Sequence, residues 1–415
     1  MIPGTDPLPT TQSGRSRSAH AFDLWSLAAL TCLLALCAPT ASAQTNVTSA
    51  PAGTNAPAGT NAASKFRSPD DGWFDVSGLL EEKYGFLPIP LIVTEPAVGY
   101  GGGAGVVFLS KPLPHTEDGL GRPNITAVGG FGTANGTWGS FGADLRYWLD
   151  QHLQTIVGFI NSSVNLNYYG IGNDPALANN PLRYNLRPKG GTARAKYRFG
   201  DSRIWAGLNY SFVSTEVAFD APPGTPGEPP FQHESNVAGF TPALTFDTRD
   251  NFFTPNRGTY LEVSGGFFAP AFGSDQNFQR TSLVAMQFVP LGPKLFLGVR
   301  GDAAASFGNE PFYLRPYITL RGAPTLRYQG EEVAQIETEL RWQFWKRFSV
   351  VGFVGGGAAW NQLERVDDTL TIVTGGAGFR YELARAYGLH AGLDIARGPS
   401  DTAVYVQIGS GWSKP

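Results

Sequence analysis

The sequence predicts an all-β chain, a transmembrane antiparallel β-barrel of sixteen strands with a short N-terminal helix ahead of it. Three observations predict this. Runs of about 10–15 residues alternate apolar and polar side chains with the period of a strand. An export signal stands at the N-terminus. Charged residues make up only 16% of the 415 residues and aromatics 13%, a low charge density for a surface facing water on every side.

The N-terminal elements come first. Arg15 and Arg17 precede an apolar run, Leu24–Ala38, and a small-residue site at Ala41, Ser42 and Ala43. These are the parts of a secretory signal peptide over residues 1–43, with cleavage near Ala43. Both cysteines, Cys32 and Cys37, fall inside it, so disulfides and thiolate chemistry are not expected in the mature chain. Leu36 is too bulky for a lipoprotein signal at Cys37. Residues 44–70 carry the repeated hexamer APAGTN and read as a disordered tether. In residues 71–97, Trp73, Val76, Leu80, Tyr84 and Leu87 recur at helical spacing. An amphipathic helix of two to three turns follows from that spacing, either a strap on the barrel rim or a plug in the lumen.

The barrel is expected over residues 98–415. No apolar run there is long enough for a membrane helix. In SFGADLRYW (140–148), Phe141, Ala143, Leu145 and Tyr147 alternate with Gly142, Asp144, Arg146 and Trp148. LFLGVRGDA (295–303) and GLHAGLDIA (388–396) behave alike, the latter setting His390 and Asp394 opposite Leu389, Leu393 and Ile395. Ten such runs precede residue 307, the first of them Gly-rich at 98–110, and five follow residue 329. Bacterial single-chain barrels use an even number, so one more strand is expected before residue 200. Long connections at 220–235, 269–276 and 307–329 would face outward and short ones at 200–202 and 292–294 inward to the periplasm. A soluble sandwich also alternates; strand length, export and low charge together favour the closed membrane barrel.

The stretch LRGAPTLRYQGEEVAQIETELRW (320–342) joins a loop to a two-faced strand. Glu331, Gln335, Glu337, Glu339 and Arg341 share one parity; Ala334, Ile336, Leu340 and Trp342 share the other. Upstream, FDTRDNFFTPNRGTYLEVSGG (246–266) sets Asp247, Arg249, Asp250, Asn251, Pro255, Gly258, Tyr260 and Glu262 around a turn between strands. A third segment is NYYGIGN (167–173). With these motifs, residues 88–412 resemble the barrel of the bacterial surface-antigen family, the BamA/TamA-type outer-membrane proteins. The resemblance implies that the loop carrying Leu320, Arg321 and Gly322, with Tyr328 and Gly330 behind it, folds back into the lumen. Its arginine would then pair with acidic groups on the inner wall. Gly355 stands where the family often has the partner aspartate, so Glu337 and Glu339, beside Arg341, are the replacements expected. Tyr405, Gly409 and Trp412 close the chain with the terminal-strand signal read by outer-membrane assembly machinery, Trp412 facing the same way as Val404, Val406 and Ile408. The periplasmic POTRA repeats of client-handling members find no room ahead of residue 98, so a barrel-only member is expected.

Other chemistries find little support. A net charge of −3 without a basic patch argues against nucleic acid. GYGGGA (99–104) matches a dinucleotide fingerprint, but strand alternation rather than a helix follows it. No G-x-S-x-G elbow accompanies His115, His233 or His390, and the acidic pairs Glu331–Glu332 and Asp367–Asp368 read as solvated loop ends. The expectation is therefore a non-enzymatic protein without cofactor or metal, in the cell outer membrane. It would assemble or translocate protein or lipid through the Arg321 loop and a weak seam at the Gly-rich first strand. A passive or gated pore and a structural surface antigen are the alternatives. Expected partners are outer-membrane lipid, the machinery that inserts the barrel, a client protein or lipid, and a second copy through exposed Trp and Tyr.

Overall fold

The computed structural model of the chain describes residues 66–80, 86–110, 115–116, 119–120, 124–170, 177, 179–220, 232–251, 253–361 and 369–412. The expected signal peptide, its cleavage site and most of the expected tether lie outside these residues, as does most of the 220–235 connection.

Sixteen strands form one sheet in chain order. They are β1 (Phe86–Val93), β2 (Gly101–Ser110), β3 (Asn124–Thr133), β4 (Trp138–Trp148), β5 (Leu153–Tyr168), β6 (Leu182–Arg198), β7 (Ile204–Phe219) and β8 (Gln232–Asp247). There follow β9 (Gly258–Phe268), β10 (Phe278–Gly292), β11 (Leu295–Gly308), β12 (Glu332–Trp345), β13 (Phe348–Trp360), β14 (Leu370–Ala384), β15 (Leu389–Arg397) and β16 (Thr402–Ile408). Each pairs antiparallel with the next. A separate two-residue pair, His115–Thr116 with Gly119–Leu120, sits between β2 and β3.

The fifteen runs read from alternation are all strands, with ends displaced by a few residues. The sixteenth is β1, inside the segment expected to be helical. Among the described residues of that segment, helix is limited to α1 (Ser77–Leu80). The sequence FLPIPLIV accounts for the difference. Pro88 and Pro90 lack the N–H a helix interior needs, each pushes its predecessor toward extended backbone, and Ile89, Ile92 and Val93 are β-branched. The barrel thus begins at Phe86 rather than 98, and the Gly-rich run is the second strand. Pairing of Phe86–Val93 with β2 is unbroken, which places both proline nitrogens on the outer edge of β1. Among the described residues no backbone pairing joins that edge to β16.

Burial is inverted relative to a water-soluble sandwich. On β12, Gln335, Glu337 and Arg341 are buried, whereas Ile336, Leu340, Trp342 and Phe344 are exposed. Val157 and Phe159 on β5, Val354 on β13 and Leu393 and Ile395 on β15 likewise point their apolar side chains outward. Such a surface suits hydrocarbon, and closing the strands around a polar lumen pairs the backbone groups that hydrocarbon cannot. Among the described residues no helix is long and apolar enough to cross a membrane. On the outer face Trp342, Phe344, Trp345, Phe348 and Phe379 make an aromatic band beside the short turn at 346–347. Aromatic bands of this kind mark the bilayer–water boundary.

Candidate functional site

The connection between β11 and β12, residues 309–331, folds into the lumen and spans it. At one side Phe312, Tyr313, Leu314 and Leu326 pack on Val164, Leu166, Tyr184, Leu186, Val217, Val237, Phe268 and Phe278 from β5 to β10. Arg280 of β10 binds Glu310 at 3.2 Å and donates to the Leu314 carbonyl. At the other side Ile318, Leu320, Ala323 and Tyr328 pack on Val333, Ala359 and Ile372 from β12 to β14. The loop is tied to itself by Ile318 N–H to the Tyr328 carbonyl and Gly330 N–H to the Pro316 carbonyl, both 3.0 Å. It is a folded segment whose apolar side chains pack on the wall at both sides.

Arg321 stands at its tip, 7% exposed. Its Nε donates to Glu337 Oε1 at 2.6 Å, and its Nη1 to Glu339 Oε2 at 2.7 Å and to Asp394 Oδ2 at 2.9 Å. The guanidinium lies 3.6 Å over the Phe353 ring. Arg380 holds Asp394 by a fork of 2.5 and 2.9 Å, so the fully buried carboxylate of Asp394 is shared between two arginines. A buried charge left alone costs several kcal/mol, and here each has an opposite partner within hydrogen-bond reach. Asp394 escaped the sequence reading because it lies 73 residues from Arg321; its one signal was an acid on the polar face of β15. Gly355, where an aspartate was looked for, instead makes room: a Cβ there would sit 2.9 Å from Leu320 Cδ2. Gly322 is required twice over. Its φ is +93°, and a Cβ would meet the Arg397 and Gly398 backbone at 3.0 Å. Tyr328 binds Ser400 at 3.0 Å, and Arg327 pairs with Asp401 at 3.1 Å while lying over the Tyr169 ring of the third motif.

The loop also reaches both ends of the sheet. Gly322 N–H donates to Tyr405 Oη of β16 at 3.0 Å. Thr325 N–H donates at 2.9 Å to Glu95, which follows β1. Two strands that do not pair with each other are thereby held by one loop.

The chain end differs from expectation. The strand stops at Ile408, Gly409 adopts a φ of +75°, and the following residues turn inward. Trp412 does not share the outward face of Val404, Val406 and Ile408. It packs with Tyr260, Val284, Met286 and Phe288 inside the lumen and donates to Glu337 at 3.2 Å. Tyr405 faces inward as well, as its bond to Gly322 requires. Left-handed backbone at Gly409 breaks the strand parity on which the expectation rested.

Arg341 takes other partners than Arg321 does. It donates to His390 Nε2 at 3.1 Å and to Asn256, and lies over the Phe296 ring. Asn256 belongs to the 246–266 motif, whose residues build the turn between β8 and β9. Arg249 forks onto Asp247 at 2.9 and 3.0 Å and lies over Tyr260. Asp250 accepts the Asn256 N–H at 3.0 Å, and Asn251 accepts those of Phe253 and Thr254 at 2.7 and 2.9 Å. Pro255 is buried. At Gly258, φ +107°, a Cβ would lie 2.3 Å from the Thr248 carbonyl. The turn reaches across the short-turn mouth: Asn251 Nδ2 donates to the Tyr387 carbonyl at 2.8 Å, and Ser410 N–H to the Phe253 carbonyl at 2.6 Å.

Residues 66–77 pack on the rim as a strap of turns and bends, where the spacing predicts an amphipathic helix. Arg347, on the turn after β12 and fully buried, grips Asp71 at 2.7 and 2.9 Å and Asp75 at 2.7 Å. The Arg347 hydrogen bonds hold the Asp71 carboxyl down to about 2. Phe66 to Asp70, expected within the tether, belong to this strap.

A family model described as the Omp85 superfamily domain matches residues 159–399, more than half of the chain. No curated protein matches the sequence. Among solved structures, the barrel is similar to BamA from Haemophilus ducreyi lacking POTRA domains 1-3, with TM-score 0.52 and 11% identity over 83% of this chain and 80% of that one. CdiB from Escherichia coli gives TM-score 0.57 and 11% identity over 82% of this chain, and CdiB from Acinetobacter baumannii 0.51 and 9% over 79%. The matches span 66% and 60% of the two CdiB chains.

Proposed function

The chain belongs to the Omp85 superfamily, and from that premise we propose that it assembles or translocates protein or lipid at the outer membrane, without catalysing a chemical step. Export with cleavage after Ala43 belongs to the same reading, with the long-loop end outside the cell and the short turns in the periplasm. The observation that carries it is the double attachment of the lumenal loop, to Tyr405 of β16 and to Glu95 beyond β1. At the seam, Pro88 and Pro90 remove two donors from the outer edge of β1, so closure against β16 lacks part of its ladder. β16 has no proline over Thr402–Ile408, and an incoming extended segment finds there a row of unused donors and acceptors. With the loop seated, the two edges are held from inside. With the loop withdrawn, the edge of β16 is offered to a client.

The test is insertion of an unfolded client barrel into vesicles that carry the protein. Insertion is expected to run severalfold faster than in empty vesicles, and equal rates would sink the proposal. Changing Pro88→Val and Pro90→Val together restores both donors and is expected to slow insertion while leaving the barrel folded.

A gated pore is the second reading. It is favoured by the polar inner wall of β5 to β7, where Gln154, Thr192, Lys196, Asn209 and Ser211 are buried. In a planar bilayer the intact chain is expected to be silent and a chain lacking 309–331 to conduct. Steady conductance from the intact chain would favour the pore over the assembly reading.

A further inference from the structure

The strap at residues 66–77 is built the wrong way round for a segment bathed in periplasm. Its carboxylates, Asp71 and Asp75, turn inward to Arg347, while its largest apolar groups turn out. Phe66 and Phe74 are 41% and 49% exposed, and their rings stack on each other at 6.1 Å. Between them, Trp73 meets Trp345 and Phe348 edge-on at 5.2 and 5.6 Å. Those two rings belong to the aromatic band, which Phe348 continues to Phe379 and Tyr381 at 5.4 and 5.1 Å. The strap therefore extends the lipid-facing surface beyond the last residues of the strands.

Its orientation is fixed. Arg347 grips both carboxylates, Tyr381 Oη donates to the Phe74 carbonyl at 2.7 Å, and Val76 N–H donates to the Leu383 carbonyl at 3.0 Å. A clamp this specific holds two phenylalanines half in the open, leaving apolar ring surface that water would not favour. Beside them a groove of about 460 Å3 is lined by Phe66, Arg67, Asp71, Gly72, Trp73 and Phe74. An exposed guanidinium at the edge of an aromatic groove is the pairing a phospholipid asks for, phosphate to Arg67 and acyl chain to the rings.

We propose that the strap is an interfacial lipid-binding element, with Phe66 and Phe74 immersed in the periplasmic leaflet and Arg67 at its phosphates. The proposal rests on the reading of the barrel as membrane-embedded. It gives Arg347 a purpose apart from the lumen: to aim the strap at the bilayer beside β12 to β14.

Photocrosslinking tests it. The full chain carrying p-benzoylphenylalanine at position 66 or 74, in phosphatidylcholine and phosphatidylglycerol vesicles, is irradiated and the phospholipid adduct weighed. Position 354, outward on β13, reports embedding, and position 201, on an exposed short turn, reports water. Adducts are expected at 66, 74 and 354 and not at 201. Arg347→Ala should cut those at 66 and 74 severalfold and spare that at 354. Adducts at 354 alone overturn the proposal and leave the barrel reading intact. No adduct at 354 overturns both.

Discussion

Arg321 and Arg347 solve the same problem at opposite surfaces of one wall. Each is buried, each holds a segment that is not part of the sheet, and each does so through carboxylates. They differ in which side carries the anions. Around Arg321 the wall supplies Glu337, Glu339 and Asp394, and the loop brings the cation. Around Arg347 the wall supplies the cation, and the strap brings Asp71 and Asp75. Without its loop, the inner wall would keep three acids in a confined space, with Arg380 on Asp394 and Arg341 near Glu339 as the cations left among them. Without its strap, the rim would keep Arg347 and the half-exposed Arg385, which also pairs with Asp71 at 3.4 Å, next to water. Losing the loop therefore costs the barrel wall more than losing the strap does.

Arg321→Ala breaks the comparison most severely. It strands buried carboxylates, a loss of about 3–5 kcal/mol, read as a lower temperature for loss of the compact, heat-modifiable form on gels. Reversing one pair, Arg321→Glu with Glu339→Arg, is not expected to rescue it, because Glu337 and Asp394 still face the new acid. Arg347→Ala removes charged hydrogen bonds of about 1.5–3 kcal/mol each at most, yet only the strap should respond. Limited proteolysis should cut within 66–77 while the barrel melts as before; a barrel melting as early as the Arg321 variant would erase the distinction. Acid gives a milder form of the same separation. The Asp71 carboxyl sits at about 2 rather than 3.8, so its stabilising share is full above 3.8 and is lost as pH falls through about 2. Protease sensitivity of the strap should rise over that window. Smallest is Arg327→Ala. Its pair with Asp401 is partly exposed, so about 0–1 kcal/mol is expected and the melting temperature should barely move.

Much of this architecture was legible, and the gaps have physical causes. Alternation exposed fifteen strands because a barrel wall has one polar and one apolar side along its whole length. It missed β1 because FLPIPLIV is short, continuously apolar and interrupted by prolines, which periodicity cannot separate from a buried helix. The family resemblance implied a lumenal Arg321, and strand parity then offered Glu337 and Glu339 on the strand next to the loop. Asp394, Glu95 and Tyr405 join the same loop from the far ends of the chain, a closeness set by the closing of the sheet and not by any local pattern. The Arg347 clamp had no signature beyond two acids near a tryptophan. Trp412 was read on strand parity one glycine too far.

The loop's hold on both edges of the sheet has a thermodynamic consequence. On the proposed function, opening the lumen and loosening the seam both break the bonds to Tyr405 and Glu95, so the two are coupled. On that reading, a client that displaces β16 weakens the loop's grip on the lumen by an equal free energy. Conversely, anything that draws the loop out strengthens binding at the edge by the same factor. Conductance and strand capture, measured separately, should therefore titrate together.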